Sequence, residues 1–291
     1  DAVPGSPAAK ANLGTGDFIE SINGVSTRDM PLAFADMLLQ GDVGTSVEMS
    51  VLRFRKPEPQ KIALIRQAVP VPPVTGKLVN EGDAKNVGVI TAMGLPSGRS
   101  KDIAARIAEL EKQGAKSLIL DLRHSSTGAP EEGIAVANLF VEKGLLGYSV
   151  GQKSARQDYQ AAGKPVTKLP LVVLTNRSTV GAAEIAAAAL LSRDRAKVVG
   201  ERTYGDAAVR KPVTLDDGSA VILATAKFYT PEGKTITFRE QEGGVTPTQA
   251  VLDDASAEED NLPEGVDPAT LPTKAKTTDD ILRQGLLLIS E

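Results

Sequence analysis

The sequence contains no cysteine and a single histidine, His124. Without cysteine, the chain cannot form a disulfide, a thiolate metal site or a cysteine nucleophile, although this absence does not fix the cellular compartment. One histidine likewise excludes a metal site built from several histidines. We therefore expect no metal and no other cofactor.

Long apolar runs and aromatic residues are also scarce. No apolar run reaches the roughly 18 residues that a membrane-spanning helix needs. Tryptophan is absent, and six Phe and four Tyr do not favour a large aromatic-lined pocket. The 33 basic and 37 acidic residues give a formal net charge of −4, which argues against binding to a nucleic-acid backbone.

What remains is the composition of an ordinary globular protein. The 291 residues are 41% hydrophobic and 24% charged, enough for one large domain or two ordinary ones. The sequence begins at Asp1 without an initiator methionine, and no signal peptide is visible. We therefore expect that any targeting segment is missing from this sequence.

Residues 1–69 predict a small domain, and the prolines of residues 70–76 predict an extended linker after it. Asn23-Gly24 is a strong signal for a tight turn. An amphipathic helix is predicted over residues 31–39, with Pro31 suited to its first turn. The predicted strands cover residues 18–22, 46–53 and 61–67.

The stretch PGSPAAKANLGTGDFIESING, residues 4–24, resembles the middle of a bacterial PDZ domain, which captures peptide C-termini by adding a strand to its sheet. The first strand and the carboxylate-binding loop of that family would precede this stretch, so we expect the PDZ domain to be incomplete. The resemblance implies a peptide groove along the predicted helix. Its expected contacts are Leu32, Ala35, Asp36 and Leu39. In the alternative interpretation, the apolar residues of the helix are mostly core, namely Leu32, Ala35, Met37, Leu38 and Leu39.

Residues 77–252 alternate apolar strands with amphipathic helices. This pattern predicts an α/β fold, with a mostly parallel sheet and helices on both faces. Ser100 is the expected N-cap of a helix that Gly114 closes. The acidic, proline-bearing residues 253–278 predict a linker, and a last helix is expected within residues 279–291. The predicted strands are 87–91, 117–122, 168–175, 197–200 and 220–228, and the predicted helices are 100–113, 131–141 and 182–191.

An ordered set of motifs lies in this second region. The motifs are AKSLILDLR at 115–123, PLVVLTNR at 170–177, AAEI at 182–185, VVGERTYG at 198–205, AKFYTPEGKTI at 226–236 and GVTPTQAV at 244–251. This set resembles the carboxyl-terminal processing proteases, the tail-specific serine peptidases of the S41 family. The resemblance implies a ClpP/crotonase-like peptidase core and, with the PDZ fragment, covers nearly the whole chain.

The same resemblance puts the catalytic positions of the family on residues that cannot cleave a peptide. Family members attack with a serine that a neutral lysine deprotonates, and these positions correspond to Gly181 and Asp206. The supporting glutamine of the family corresponds to Arg210. Glycine has no nucleophile, aspartate is not an amine, and arginine stays charged at every working pH. We therefore predict no catalytic dyad, and we expect Asp206 and Arg210 to pair with one another.

Other groups of the site are predicted to remain or to be rewired. Backbone amides of Thr127, Gly128 and Ala182 are candidates for an oxyanion hole, because any residue except proline supplies an amide. A rewired dyad would use His124 as the base and Ser178 as the nucleophile. The alternative is that His124 is an ordinary loop histidine, since no carboxylate is visibly spaced to orient its ring.

Two charged residues match supporting positions of the family. Glu184 lies on the helix that follows the nucleophile position, and we expect it to hold the loop by accepting backbone hydrogen bonds. Arg123 matches the arginine of the D-L-R motif, which supports loops near the site. Structural roles are expected for both residues.

Three functional hypotheses are open. The first is an S41 homologue that does not cleave but binds unstructured protein or peptide C-termini as a scaffold or adaptor. The second is an active serine-type endopeptidase that cleaves C-terminal tails, through a rewired nucleophile or because this sequence is an altered copy of an active parent. The third is a small-molecule carrier on the same core. The resemblance implies a periplasmic or extracytoplasmic location. The charge and the short apolar runs predict no nucleic-acid partner and no membrane span, and a homo-oligomer is left open.

Overall fold

The structure is a computed structural model that describes residues 2–3, 5–14, 17–53, 58–217, 219–237, 243–252 and 279–290. The described residues form two compact units, one within Asp1–Pro72 and the other within Pro73–Asp253 and Thr278–Glu291. The linker predicted over residues 253–278 lies outside the described residues. No helix in the described ranges is both long enough and apolar enough to cross a membrane.

The N-terminal unit is built on a four-stranded antiparallel sheet of order β2-β1-β3-β4. Its small core is formed by Ile22, Val47, Met49 and Val51, because alternate residues of the third strand point inward. The elements are α1 Pro7–Lys10, β1 Phe18–Ile22, β2 Val25–Ser26, α2 Leu32–Leu39, β3 Ser46–Leu52 and β4 Gln60–Ile65. The predicted helix and strands are therefore present, with ends that differ by one or two residues.

The second unit is built on a six-stranded sheet of order β14-β11-β10-β7-β6-β5. Its strand pairs are parallel except for the antiparallel pair at one edge, between β5 and β6. The strands are β5 Thr75–Glu81, β6 Ala84–Thr91, β7 Ser117–Asp121, β10 Leu171–Thr175, β11 Lys197–Gly200 and β14 Gln249–Ala250. The predicted α/β fold with a mostly parallel sheet is confirmed.

Helices cover both faces of this sheet. On one face lie α3 Arg99–Lys112, α4 Pro130–Asn138 and α5 Ala182–Ser192, which share a large apolar core with the sheet. On the other face lies α6 Asp280–Ser290, which buries Ile281 and Leu286 against the strands. Gly285 permits this close packing, because a Cβ atom there would lie 2.8 Å from Leu174 Cδ2.

A second sheet, antiparallel and of order β12-β13-β8-β9, completes this unit. Its strands are β8 Leu145–Val150, β9 Gln157–Gln160, β12 Ala208–Thr214 and β13 Ala220–Tyr229. Three of the four strands, β8, β9 and β12, and the edge strand β5 of the large sheet, were not predicted from the sequence. Strands β5, β9 and β12 are mostly exposed, so their apolar periodicity is weak. Strand β8 is largely buried, but Gly147 interrupts its short apolar run.

One helix boundary was wrong. Ser100 is not the N-cap of α3, because the helix begins at Arg99 and Gly98 is its N-cap, with φ 88°. The first-turn amides are satisfied from another helix instead: Glu132 Oε1 accepts a hydrogen bond from the Ser100 N–H at 2.6 Å, and Oε2 accepts one from the Gly98 N–H at 3.1 Å. Ser100 therefore predicted the presence of helix α3 correctly, but the N-cap residue was wrong.

Candidate functional site

The turn between β10 and α5 is held by its own polar residues. The Thr179 hydroxyl donates to the Leu122 carbonyl at 3.0 Å and accepts from the Asn176 N–H at 3.1 Å. Thr179 is completely buried. Its hydroxyl is therefore a structural group of the turn and is not available to attack a substrate.

Gly181 occupies the tip of this turn, at the N-cap of α5. Its φ of 64° and ψ of −113° form the strained strand-to-helix turn that presents a nucleophile in α/β hydrolases. A Cβ atom added at Gly181 would meet one described atom within 4 Å, the Asp206 carbonyl oxygen at 3.8 Å. The turn thus has the backbone shape and the space for a nucleophile, although glycine supplies none.

Glu184 links the two positions that correspond to the nucleophile and the base. Its Oε2 accepts hydrogen bonds from the Gly181 N–H at 2.9 Å and the Asp206 N–H at 2.8 Å. Its Oε1 accepts from the Gly205 N–H at 2.6 Å and the Thr203 hydroxyl at 2.5 Å. Burial raises the pKa of Glu184, and these four donors oppose that shift. The loop-holding role predicted for Glu184 is confirmed.

Asp206, the residue predicted at the base position, has its side chain in an ion pair. Arg210 Nη2 lies 2.5 Å from Asp206 Oδ1, so the pairing predicted from the sequence is present. Neither group can take a proton from an alcohol as a neutral amine would. Within the described residues, no lysine ammonium forms a hydrogen bond with a hydroxyl of this turn.

The predicted oxyanion loop lies beside this turn. Ser125 O accepts a hydrogen bond from the Val180 N–H at 2.9 Å, which joins the loop to the residue before Gly181. Thr127 and Gly128 are exposed, and the Thr127 carbonyl accepts from the Leu95 N–H at 2.7 Å. Gly128 must be glycine, since its φ is 129° and a Cβ atom would lie 2.0 Å from the Leu95 carbonyl oxygen.

The third oxyanion candidate, Ala182, is buried at the start of α5. Helix α4 approaches it closely, because a Cβ atom added at Gly133 would lie 2.2 Å from the Ala182 carbonyl oxygen. This contact packs α4 against the first turn of α5. Thr127 and Gly128 therefore lie on a loop that is hydrogen-bonded to the turn through Ser125 and Val180, whereas Ala182 lies in the first turn of α5.

Asn176, which was not predicted as a site residue, contacts both residues of the predicted rewired dyad, His124 and Ser178. Its Oδ1 accepts hydrogen bonds from the N–H groups of His124 at 3.1 Å and Ser178 at 3.2 Å. Its Nδ2 lies 3.3 Å from both ring nitrogens of His124. In the described part of the chain, the Ser178 hydroxyl makes no hydrogen bond. His124 and Ser178 thus share a backbone anchor, and the same asparagine contacts the imidazole of His124.

Arg123 supports the site from the end of β7. Its guanidinium binds Asp121 at 2.7 Å and reaches both carboxylate oxygens of Asp279, at 2.7 and 2.8 Å. Burial opposes the charge of Arg123, but the hydrogen bonds with the two aspartates outweigh it and raise the pKa above its usual range. Asp279 Oδ1 also accepts from the Leu282 N–H at 3.0 Å, so Arg123 fastens the first turn of α6 to the sheet.

The predicted peptide-binding residues of α2 divide between core and surface. Ala35 packs against the core of the N-terminal unit, whereas Asp36 and Leu39 are exposed. The side chain of Leu32 lies outside the described part of the structure. Met37 is 59% exposed, so its assignment to the core was wrong. The helix therefore presents an exposed surface to which Asp36, Met37 and Leu39 contribute.

Comparison with known proteins follows the same division of the chain. The profile described as peptidase family S41 matches residues 86–251, and the profile described as PDZ domain matches residues 1–53. The carboxyl-terminal-processing protease of Synechocystis sp. is 33% identical, with 85% of this chain and 57% of that protein covered. The carboxy-terminal processing protease CtpA of Bacillus subtilis is 36% identical, with 80% of this chain and 49% of that protein covered.

A solved structure of the photosystem II D1 C-terminal processing protease is similar over 99% of this chain and 71% of that one, with a TM-score of 0.75 and 30% sequence identity. This chain spans about half the length of the two curated relatives above. The S41 profile covers more than half of the chain, and its matched region contains the turn, Glu184 and the Asp206 loop. The chain therefore belongs to peptidase family S41.

Proposed function

We propose that this chain binds unstructured protein C-termini without cleaving them, as a scaffold or adaptor related to the carboxyl-terminal processing proteases. One observation carries the proposal: the Glu184 carboxylate holds Gly181 and Asp206 in the frame of a peptidase site, and neither residue can perform the chemistry. The site keeps its architecture and lacks both reacting groups.

The missing step is proton transfer from an alcohol. A serine hydroxyl attacks at neutral pH only when a base takes its proton. At Gly181 there is no hydroxyl, and at Asp206 the carboxylate is neutralised by Arg210 at 2.5 Å. The remaining hydroxyl at the buried part of the turn, that of Thr179, already donates to a carbonyl. These contacts support the absence of turnover in the proposed function.

The binding half of the proposal rests on two surfaces. The loop that carries Thr127 and Gly128 is exposed and tied to the turn at Gly181, so a peptide carbonyl has backbone amides to meet. In the N-terminal unit, Asp36 and Leu39 lie on the exposed side of α2. Both surfaces suit an extended chain, which PDZ domains bind as an added strand.

We also propose the domain order and the location implied by the family: a partial PDZ domain over 1–69, a short linker, a peptidase-like core that extends to 252, and a periplasmic or other extracytoplasmic site of action. The linker predicted over 70–76 ends before Thr75, where strand β5 of the core begins. The similarity to tail-processing proteases supports this location. The partner would then be the disordered tail of an envelope protein.

The test is a paired binding and cleavage assay with an unstructured peptide that ends in apolar residues. Fluorescence anisotropy measures binding and mass spectrometry detects cleavage. We expect binding and an intact peptide. Cleavage by the purified chain that is lost in Ser178→Ala, or labelling of a serine by a fluorophosphonate, would establish the rewired peptidase instead.

A gain-of-function series tests whether the frame is retained. In the triple variant Gly181→Ser/Asp206→Lys/Arg210→Gln, the family residues return to a turn that Glu184 still holds, and we expect measurable cleavage. The matched control, Gly181→Ala/Asp206→Lys/Arg210→Gln, differs from this variant only in having alanine and not serine at position 181, and it should not cleave the peptide. If the serine variant binds peptide but is equally silent, the turn does not retain the geometry of a peptidase site.

A second pair of variants locates the tail on the N-terminal unit. Leu39→Asp should weaken peptide binding, because an apolar contact of the proposed groove becomes charged. Val43→Asp is the control, since Val43 is 72% exposed and lies beyond the helix. Equal affinities for the two variants would place the tail elsewhere.

A further inference from the structure

The hairpin of β12 and β13 projects from the second unit. Its root is anchored, because Ala208, Ala226 and Phe228 are buried. Beyond the root, every described residue from 210 to 224 is exposed. A two-stranded ribbon without a covering layer is marginally stable in water, so its surface composition indicates what it contacts.

One face of the hairpin is apolar. Val213 pairs with Val221, and Lys211 pairs with Leu223. Because side chains alternate between the two faces of a strand, these residues and Leu215 lie on one face, here called the apolar face. Its four large apolar side chains are between 40% and 47% exposed. Contiguous exposed apolar residues of this kind mark a surface that another chain covers.

The outer edge of β12 is poorly suited to the addition of another strand. The Leu215 N–H donates to the Ser219 carbonyl at 2.7 Å, so the amides of odd-numbered β12 residues point toward β13. The outward amide positions therefore belong to even-numbered residues, and one of them is Pro212, which has no N–H. Proline at an outer edge interrupts strand addition. Strand addition at the outer edge of β12 is thus interrupted, and the apolar face is available to a partner.

Charge along the hairpin identifies the partner. Asp216 and Asp217 are exposed at its tip, and Lys211 is exposed on the apolar face toward its root. A copy of the hairpin turned by 180° would bring its acidic tip to this lysine. We propose that the apolar face binds the apolar face of a second copy of this chain, in an antiparallel, twofold-symmetric dimer.

The register of such a dimer follows from the strand pairing. With the twofold axis at the Val213–Val221 pair, each of these valines packs on the same pair of the partner copy. Leu215 of one copy then meets the row of Leu223 and Lys211 of the other. The acidic tip lies one step further along, next to the same lysine. Apolar rows and opposite charges therefore match in a single arrangement.

Analytical ultracentrifugation of the full chain tests the proposal with two adjacent residues. Val221→Arg introduces a charge on the apolar face, whereas Ile222→Arg introduces the same charge on the opposite face at a residue that is 57% exposed. The wild type should be dimeric. Val221→Arg should abolish the dimer at concentrations where the wild type is dimeric, and Ile222→Arg should preserve it. Circular dichroism checks that both variants are folded.

A charge exchange tests the arrangement independently. Lys211→Glu or Asp216→Lys alone should weaken dimerisation about tenfold or more at low salt, and the double variant should recover it. A wild type that is monomeric at every accessible concentration would overturn the proposal. Equal effects of Val221→Arg and Ile222→Arg, or no recovery in the double charge variant, would overturn the antiparallel face-to-face geometry.

Discussion

Replacement of Gly181 by alanine tests whether the turn at the nucleophile position is strained. The added Cβ atom would be in ordinary contact with the Asp206 carbonyl oxygen at 3.8 Å, so steric overlap contributes little. The cost comes from the backbone, because φ 64° and ψ −113° are unfavourable for a residue with a Cβ atom. Holding a residue in such a region costs about 1–3 kcal/mol.

The net effect on unfolding is smaller than this strain. Alanine also restricts the unfolded chain, which stabilises the folded state by about 0.4–1 kcal/mol. We therefore expect Gly181→Ala to lower the free energy of unfolding by about 1–2 kcal/mol. For a domain of this size, that loss corresponds to a decrease in Tm of a few degrees, about 2–4 °C per kcal/mol.

Urea unfolding, followed by far-ultraviolet circular dichroism, measures this difference. The matched control is Gly76→Ala on strand β5, where the backbone is not left-handed and the new Cβ atom would lie 3.4 Å from the side chains of Arg106 and Leu110. We expect the control to be as stable as the wild type or more stable by up to about 1 kcal/mol, because alanine restricts the unfolded chain there without adding backbone strain. Equal stabilities of the two variants would refute the claim that the turn is strained. They would also refute the view that glycine avoids a backbone strain that a serine at position 181 would have.

Three further substitutions test the contacts around the site. Glu184→Gln should lower the free energy of unfolding by about 2–6 kcal/mol in urea titrations, because an amide leaves two of the four buried donors unpaired at about 1–3 kcal/mol each. Glu132→Gln should lower the free energy of unfolding less at acidic pH than at neutral pH. Burial alone would raise the pKa of Glu132, but hydrogen bonds from Ser100 and Gly98 outweigh it and lower the pKa. The stability that the carboxylate contributes is therefore present above its unfolded pKa and is lost as the pH falls through its folded pKa. Stability measured at neutral and acidic pH detects this change. Arg123→Lys should accelerate hydrogen exchange in α6, because lysine cannot bind Asp121 and both oxygens of Asp279 together.

Two of these predictions have a matched control substitution on the helix that the measurement concerns. Glu131→Gln, an exposed neighbour on α4, should change neither the stability nor its dependence on pH. A wild type and Glu132→Gln variant that differ equally at both pH values would contradict the linkage. A cost below about 1 kcal/mol for Glu184→Gln would mean that its donors find other acceptors. Arg283→Lys, which changes an exposed ion pair on α6, should leave exchange in that helix unchanged.

The buried strands could be predicted from the sequence for a physical reason. Strands such as β7 and β10 are apolar at every position because both faces of the parallel sheet are covered, and this leaves a clear pattern. Motif order then placed Gly181, Asp206 and Glu184 in one site. The backbone hydrogen bonds of Glu184 were expected from the family resemblance, the pairing of Asp206 with Arg210 from their opposite charges, and both are present.

Exposed strands and contacts between distant residues were not visible in the same way. Strand β12 is exposed beyond its first two residues, so it lacks the alternation that marks a half-buried strand. Asn176 was overlooked because its role depends on two segments that are 52 residues apart. The cap of α3 was misplaced for the same reason, since Glu132 supplies it from another helix.

The amino-acid sequence by itself determined the alternation of strands and helices, the motifs that resemble the S41 family, and the presence of Gly181 and Asp206 where that resemblance predicts a nucleophile and a base. These properties depend on residue type and local spacing. Only the tertiary structure decided that Gly181 keeps the backbone of a nucleophile turn, that one buried carboxylate holds both loops, and that the hairpin of β12 and β13 exposes an apolar face. Hydrogen bonds and burial of this kind arise when segments far apart in the chain meet, and no local pattern records such meetings.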